Sequence, residues 1–439
     1  MNASATSPTP DALELVLRGA WPDPDGGPPL GVSVRTVAIE ASLAGREANL
    51  VAPLGLGRRL AIVSDSTTRA VLGDRIEGAL AALGTVLPVV LEGPPHADAP
   101  TVRKLRTACA EADALVAVGS GTINDLCKFA AAQDGKPYIV FATAPSMNGY
   151  ASMNAAITVD GHKETLPAAA PLGVFMDLSV LAGAPARMIR AGLGDALCRS
   201  TAQADWLLSH HLLGTPYRIS PFVLLAADEP ALLDQPEALL RGDLGAMRSL
   251  ARTLVLSGLG MTLCRGSYPA SQGEHLISHY IDMFAPAGRE SYLHGEQVAV
   301  ATVTMAAIQE DLLSGGPPAW RPTCVTRADL KERFGAQLGD TCWRAFEGKQ
   351  AASARARNVA QRTAREWNEI RDSIRRALVP AATIASVLER AGCPTTPADI
   401  GVEPAFYTAA VRNARFLRDR YTFLDLADEC GRLAQLWSM

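Results

Sequence analysis

Residues 114–125 read ALVAVGSGTIND, and this stretch decides the fold class. The apolar run Ala114–Val118 passes without a polar break into Gly119-Ser120-Gly121-Thr122. An uninterrupted run of this kind marks a strand buried on both faces, the strand type of parallel sheets covered by helices. Helical spacing follows over about 122–134. A glycine pair at a strand's carboxyl end lets backbone approach a diphosphate, and the next helix offers free N–H groups and a positive dipole end. The spacing is neither GxGxxG nor GxxxxGK(S/T), so a plain tight turn remains the competing reading of the loop.

The same alternation extends outward on both sides. Strands are expected at 60–64 (LAIVS), 86–91 (VLPVVL), 138–142 (YIVFA) and 172–176 (LGVFM), with helices at about 67–82 and 100–112. Strand–helix repetition predicts a Rossmann-like parallel α/β sheet. Beyond about residue 180 the strand signal disappears. Stretches 186–211, 229–264, 295–314 and 351–391 carry helical spacing, interrupted in the first by Gly192-Leu193-Gly194-Asp195. Segments 315–323 and 393–403 are Pro/Gly-rich connections. The expected organisation is an N-terminal extension (1–34, its first ten residues frayed), a dinucleotide-binding α/β domain (35–183) and an all-α domain for metal and substrate (184–439). A cleft should lie between the last two.

Bulk properties exclude several classes. A chain of 439 residues is long for one core. Net charge is −4 with 20% charged residues, so a basic footprint for nucleic acid is missing. No basic-then-apolar leader and no run of about 18 apolar residues is present, which argues against secretion and membrane spans. The eight cysteines form no CxxC pair, as in reduced cytoplasmic proteins.

A second small-residue loop, Thr143-Ala144-Pro145-Ser146-Met147-Asn148-Gly149-Tyr150, follows strand 138–142 and leads to Ser152. Loops at adjacent strand ends are where open α/β sheets bind nucleotides. Asp65, just past strand 60–64, suits either an adenosine ribose or a helix N-cap. Farther on, Asp195 is followed by GEHLISH (273–279) and His294. Of the seven histidines, three (His275, His279, His294) fall within residues 275–294, and His275 and His279 share a helix face. One carboxylate with two imidazoles makes an open N/O site for Zn, Fe or Ni. For His279 a structural and a site role both stay open, and the adjacent pair His210-His211 points to different helix faces and reads as structural.

Taken together, GSGTINDLCK (119–128), TAPSMNGYAS (143–152), GLGDALCRSTAQADW (192–206), SHHLLGTPY (209–217), GEHLISHYIDMF (273–284), HGEQVA (294–299) and RYTFLDLA (420–427) resemble the iron-containing alcohol dehydrogenase and glycerol dehydrogenase superfamily. More narrowly they resemble its sn-glycerol-1-phosphate dehydrogenase branch, over nearly the whole chain from about residue 35. The resemblance implies NAD or NADP, one divalent metal, a polyol phosphate substrate and a homodimer. It makes Asp195, His275 and His294 the metal ligands. Gly119, Gly121 and Thr122 would line the cofactor's diphosphate, with Ser120 and Asp125 also among the cofactor-binding positions and Thr143, Ser146 and Ser152 around its nicotinamide half. Asn148, Asp195 and His279 would meet substrate, with His279 relaying a proton. The wider family's fourth ligand histidine falls four residues after the aspartate. Arg199 stands there instead, leaving room for substrate oxygens and offering a guanidinium to a phosphate. Three rivals stand beside this reading: a sugar phosphate cyclase, which would use a glutamate ligand, a dehydrogenase of unphosphorylated polyols, and a silent binding protein.

Overall fold

The computed structural model describes residues 11–159, 162–286, 292–320, 325–359 and 364–433. The frayed start expected for 1–10, Cys324 and part of the connection 315–323 lie outside the described residues.

Strands β1 (Thr36–Glu40), β2 (Arg59–Asp65), β3 (Thr85–Leu91), β4 (Ala114–Gly119), β5 (Tyr138–Ala142) and β8 (Gly173–Asp177) form one sheet in the order β1-β8-β5-β4-β2-β3. Every pairing in it is parallel. All six residues of β4 are buried. Leu115 and Ala117 join the core cluster on one side of the sheet, while Ala114, Val116 and Val118 join the cluster on the other. Period-2 alternation thus feeds two cores at once, which is why β4 shows no polar position.

The sequence reading omitted three strands. β1 lies at the sheet edge, where TVAIE needs only half of its residues inside. β6 (Asn154–Val159) and β7 (His162–Pro167) form a separate antiparallel hairpin. Its half-polar strands carry too little hydrophobic pattern to stand out. From Leu178 on, every described element is a helix or a single helical turn. No described helix is long and apolar enough to cross a membrane. The sequence signal had left residues 11–34 without a role. They pack onto the helical half, with Asp11 paired to Arg252 and Asp23 and Asp25 to Arg218.

One expectation is corrected. Gly192–Asp195 do not interrupt the helix, which runs unbroken over Ala186–Leu197. The break comes at Cys198, before the helix Arg199–Leu213. The glycines serve contact instead. A Cβ on Gly192 would lie 1.6 Å from the Pro145 carbonyl oxygen, and one on Gly194 would lie 2.4 Å from that of Gly295. On the facing helix His294–Ser314, a Cβ on Gly295 would lie 1.9 Å from the Ala191 carbonyl oxygen. Glycine in a helix costs about 1 kcal/mol relative to alanine. Here it permits backbone-to-backbone approach at the point where Asp195 and His294 must meet.

Candidate metal and cofactor site

Asp195 sits near the end of the helix Ala186–Leu197, His275 in the first turns of Gly273–Phe284, and His294 at the first position of His294–Ser314. Packing of these three helices brings one ligand atom from each residue within 4.8 Å of the others. His275 Nε2 lies 3.5 Å from Asp195 Oδ1, and the two imidazole centroids are 5.1 Å apart.

Each donor is held from behind. His275 Nδ1 lies 2.9 Å from Glu274 Oε1, and His294 Nδ1 lies 3.1 Å from the Ser278 hydroxyl. Both rings therefore turn Nε2 inward. The Asn148 N–H donates to Asp195 Oδ2 at 2.6 Å, and the Asn148 amide donates to Oδ1 at 3.2 Å. This is the arrangement in which outer partners fix the tautomer and orientation of metal ligands. An N/O donor set with one carboxylate, converging in a buried recess, fits a divalent cation.

The surroundings set the charges. Burial pulls His294 and His279 well below the ordinary histidine value, leaving both rings neutral at neutral pH. Burial also opposes charge on His275, but the Asp195 and Glu274 carboxylates outweigh it and raise its pKa. Burial works against Glu274 ionisation too, and its hydrogen bond with His275 overcomes this and holds the carboxyl below its usual value. A second ligand-like group, Cys198–Glu274–His275, shares these atoms. Burial pushes the Cys198 thiol far up, and Glu274 is already engaged by His275 and Thr201, so that group reads as support for the first.

The cleft containing Asp195, His275 and His294 is also lined by Ser120, Gly121, Thr122, Asp125, Ser146, Asn148, Ser152 and His279. Ser120 precedes the helix Gly121–Asp134 without capping it through its side chain, so that helix start faces the cleft uncapped. A Cβ on Gly121 would lie 2.8 Å from Met147 Sδ, so a side chain there would close the gap between the two small-residue loops. An uncapped helix start beside a backbone-lined gap fits a diphosphate.

Several predicted positions are engaged by contacts of their own. Gly119 ends β4, and its carbonyl accepts from the Thr143 N–H at 3.1 Å, tying the two loops together. The Ser152 hydroxyl bonds the Gly149 and Asn154 carbonyls and accepts from Lys128. Asp125 takes the Ala156 N–H and pairs with Lys128, burial raising its pKa. Asp65 does not line the cleft. It caps the helical turn Ser66–Thr68 in a reciprocal box with Thr68. Arg199 is the clear displacement. The turn at Cys198 directs its guanidinium to Glu229 and Gln203, away from the residues that line the cleft, where the phosphate contact was anticipated from sequence.

Sequence reading passed over Glu274, Ser278, Lys163, Thr165 and Arg418. Glu274 had a signal, a carboxylate immediately before a candidate ligand histidine. Lys163 and Thr165 went unnoticed with the hairpin that carries them. Replacing Glu274 by glutamine should weaken divalent-metal affinity by about 10- to 100-fold at unchanged ligand count. Metal titration of the variant followed by competition with a chelator measures this.

Comparison with known proteins gives the same picture. A family model described as iron-containing alcohol dehydrogenase matches residues 38–185. A Bacillus licheniformis protein named glycerol-1-phosphate dehydrogenase (NAD(P)+) is 32% identical, covering 86% of this chain and 85% of its own. A Methanoculleus marisnigri protein of the same name is 30% identical over 86% of each chain. Among solved structures, a probable glycerol dehydrogenase from Sinorhizobium meliloti superposes with a TM-score of 0.61 at 19% identity, covering 92% of this chain and 98% of its own, and speaks to fold alone. On full-length similarity at this level, the chain belongs to the glycerol-1-phosphate dehydrogenase family of the iron-containing alcohol dehydrogenases.

Proposed function

We propose that the chain is a metal-dependent NAD(P) oxidoreductase interconverting dihydroxyacetone phosphate and sn-glycerol 1-phosphate. One observation carries this reading: a single cleft is lined both by Asp195, His275 and His294 and by the uncapped helix start at Ser120–Thr122. The names of the full-length relatives point to the same substrate.

When bound, the cation lowers the energy of negative charge on the substrate oxygen, and the nicotinamide gives or takes the hydride. The chain's residues do the rest. Asn148 holds the Asp195 carboxylate in one orientation with two hydrogen bonds. His279 lies one helical turn from His275, its centroid 6.4 Å from that ring. Arg418 approaches His279 Nδ1 at 3.4 Å, and a guanidinium can only donate, so Nδ1 accepts and the neutral ring carries its proton on Nε2. That proton is available to the substrate oxygen as the ketone is reduced. Gly119, Gly121 and Thr122 serve the diphosphate, and Thr143, Ser146 and Ser152 the nicotinamide side. Asp65 serves the ribose with the carboxylate oxygen not used in capping. The reading extends to a cytoplasmic homodimer. All described cysteines are free, which suits a reducing compartment, and light scattering reports the oligomeric state.

A chelator is expected to abolish NAD(P)H oxidation with dihydroxyacetone phosphate, and added Zn, Ni or Fe to restore it. Steady consumption of NAD(P)H separates this reaction from a cyclase, which regenerates its cofactor each turnover. Undiminished rates in metal-free protein would overturn the proposal.

A further inference from the structure

We propose that Arg418, Lys163 and Thr165 form the subsite for the substrate's phosphate group, an assignment that rests on the reading above. Lys163 and Thr165 are two residues apart on β7 and so project from one face of the hairpin. Both line the cleft that contains Asp195 and His279. Lys163, His279 and Arg418 together line the cavity that adjoins it. His279 therefore neighbours Arg418 at Nδ1 and the rings of His275 and His294 at centroid distances of 6.4 and 6.0 Å, and Lys163 lines the wall of both cavities.

The state of Arg418 is the decisive observation. Its side chain is half-buried in the cavity wall, and desolvation pulls its pKa down to about 9, so it keeps its charge at neutral pH. Among the described residues no carboxylate pairs with it. Its hydrogen bonds go to the Thr165 hydroxyl and to His279 Nδ1, both uncharged groups. A half-buried cation without an ion-pair partner is poorly solvated, and an arriving anion relieves that cost. A guanidinium also matches two phosphate oxygens at once, with directed, charge-assisted hydrogen bonds. Lys163 adds a second positive charge, with Nζ steered by Asp282 Oδ2 at 2.6 Å. Asp282 is fixed in turn by the Gln297 amide at 2.8 Å, so the lysine is placed by the same helix pair that holds His275 and His294. An unphosphorylated polyol leaves Arg418 unpaired, so the cradle selects for the phosphate ester by penalising its absence.

Two measurements on the metal-loaded protein test this. Calorimetric titration with inorganic phosphate should show binding to the unaltered chain that weakens by about 100-fold in Arg418→Gln and about 10-fold in Lys163→Gln. In the kinetic arm, kcat/KM in Arg418→Gln should fall about 100-fold more for dihydroxyacetone phosphate than for dihydroxyacetone. Equal losses on both substrates, or phosphate affinity indifferent to either change, overturn the assignment. Lys163 is partly exposed, and Lys163→Gln carries the test should Arg418→Gln fail to fold. The two proposals also fail separately. Phosphate binding that depends on Arg418 in a protein reducing neither substrate refutes the oxidoreductase and leaves the cradle standing. Reduction of dihydroxyacetone phosphate untouched by both substitutions does the reverse.

Discussion

Replacing His275 by alanine is expected to empty the metal site and lower kcat/KM by about 10³-fold or more, roughly 4 kcal/mol of transition-state stabilisation. The size follows from the geometry. Among the described residues three protein donors converge, so losing one leaves a carboxylate and a single imidazole, too few to retain a divalent cation against dilution. The remaining groups suffer as well, because Asp195 and Glu274 would face each other's charge without the ring that lies between them. His279→Ala provides the contrast. That side chain stands one turn away on the same helix but belongs outside the ligand set. Metal content should survive its removal while kcat falls by about 10²-fold, the loss of a proton relay. Elemental analysis of the two purified variants, set beside their kinetics, separates ligand from relay. A His275→Ala protein that kept both metal and rate would dismiss the proposed centre.

Gly295→Ala should produce the second large effect, although residue 295 carries no chemistry. Its new methyl would meet the Ala191 carbonyl oxygen at 1.9 Å, backbone against backbone, with no flexible side chain to yield. Overpacking of this sort costs about 3 kcal/mol, and the helices must separate to relieve it. Separation moves His294 away from Asp195, and a displacement of about 1 Å at a reacting centre is worth about 10²-fold in rate. The variant is therefore expected to lose both thermal stability and kcat/KM. Gly348, inside the helix Ala336–Val359 with open space where its Cβ would go, is the matched control. Gly348→Ala should be neutral or stabilising by up to about 1 kcal/mol. Similar behaviour of the two variants in a melting experiment would show that close approach is not what Gly295 provides.

Legibility from sequence followed hydrophobic contrast. β4, β5 and β8 are buried on both faces, so their apolar runs were plain, and their boundaries were read to within about a residue. β1 is an edge strand and β6–β7 a half-exposed hairpin, and half-buried strands of five or six residues give alternation too short to separate from loop. Missing the hairpin also hid Lys163 and Thr165. The glycines of 192–194 misled for a related reason. Alone, a glycine in a helical stretch signals interruption, and only a partner backbone at van der Waals distance explains an intact helix there.

By themselves, residue type and spacing determined the class of architecture and a small pool of candidate donors, from which the family resemblance picked Asp195, His275 and His294. Strand burial and the chemistry of Asp and His side chains are local properties that residue type and spacing express directly. Tertiary structure alone decided what surrounds those donors. Asn148 reaches Asp195 from 47 positions earlier, and Arg418 reaches His279 from 139 positions later, separations across which sequence spacing carries no geometric information. It also placed two arginines differently. Arg199 lies four residues beyond Asp195, yet the turn at Cys198 delivers it to Glu229, whereas Arg418, remote in the chain, arrives beside His279 with no ion pair among the described residues. Proximity along the chain fixes direction only while the helix continues. Once the chain turns, packing determines where a charge ends up.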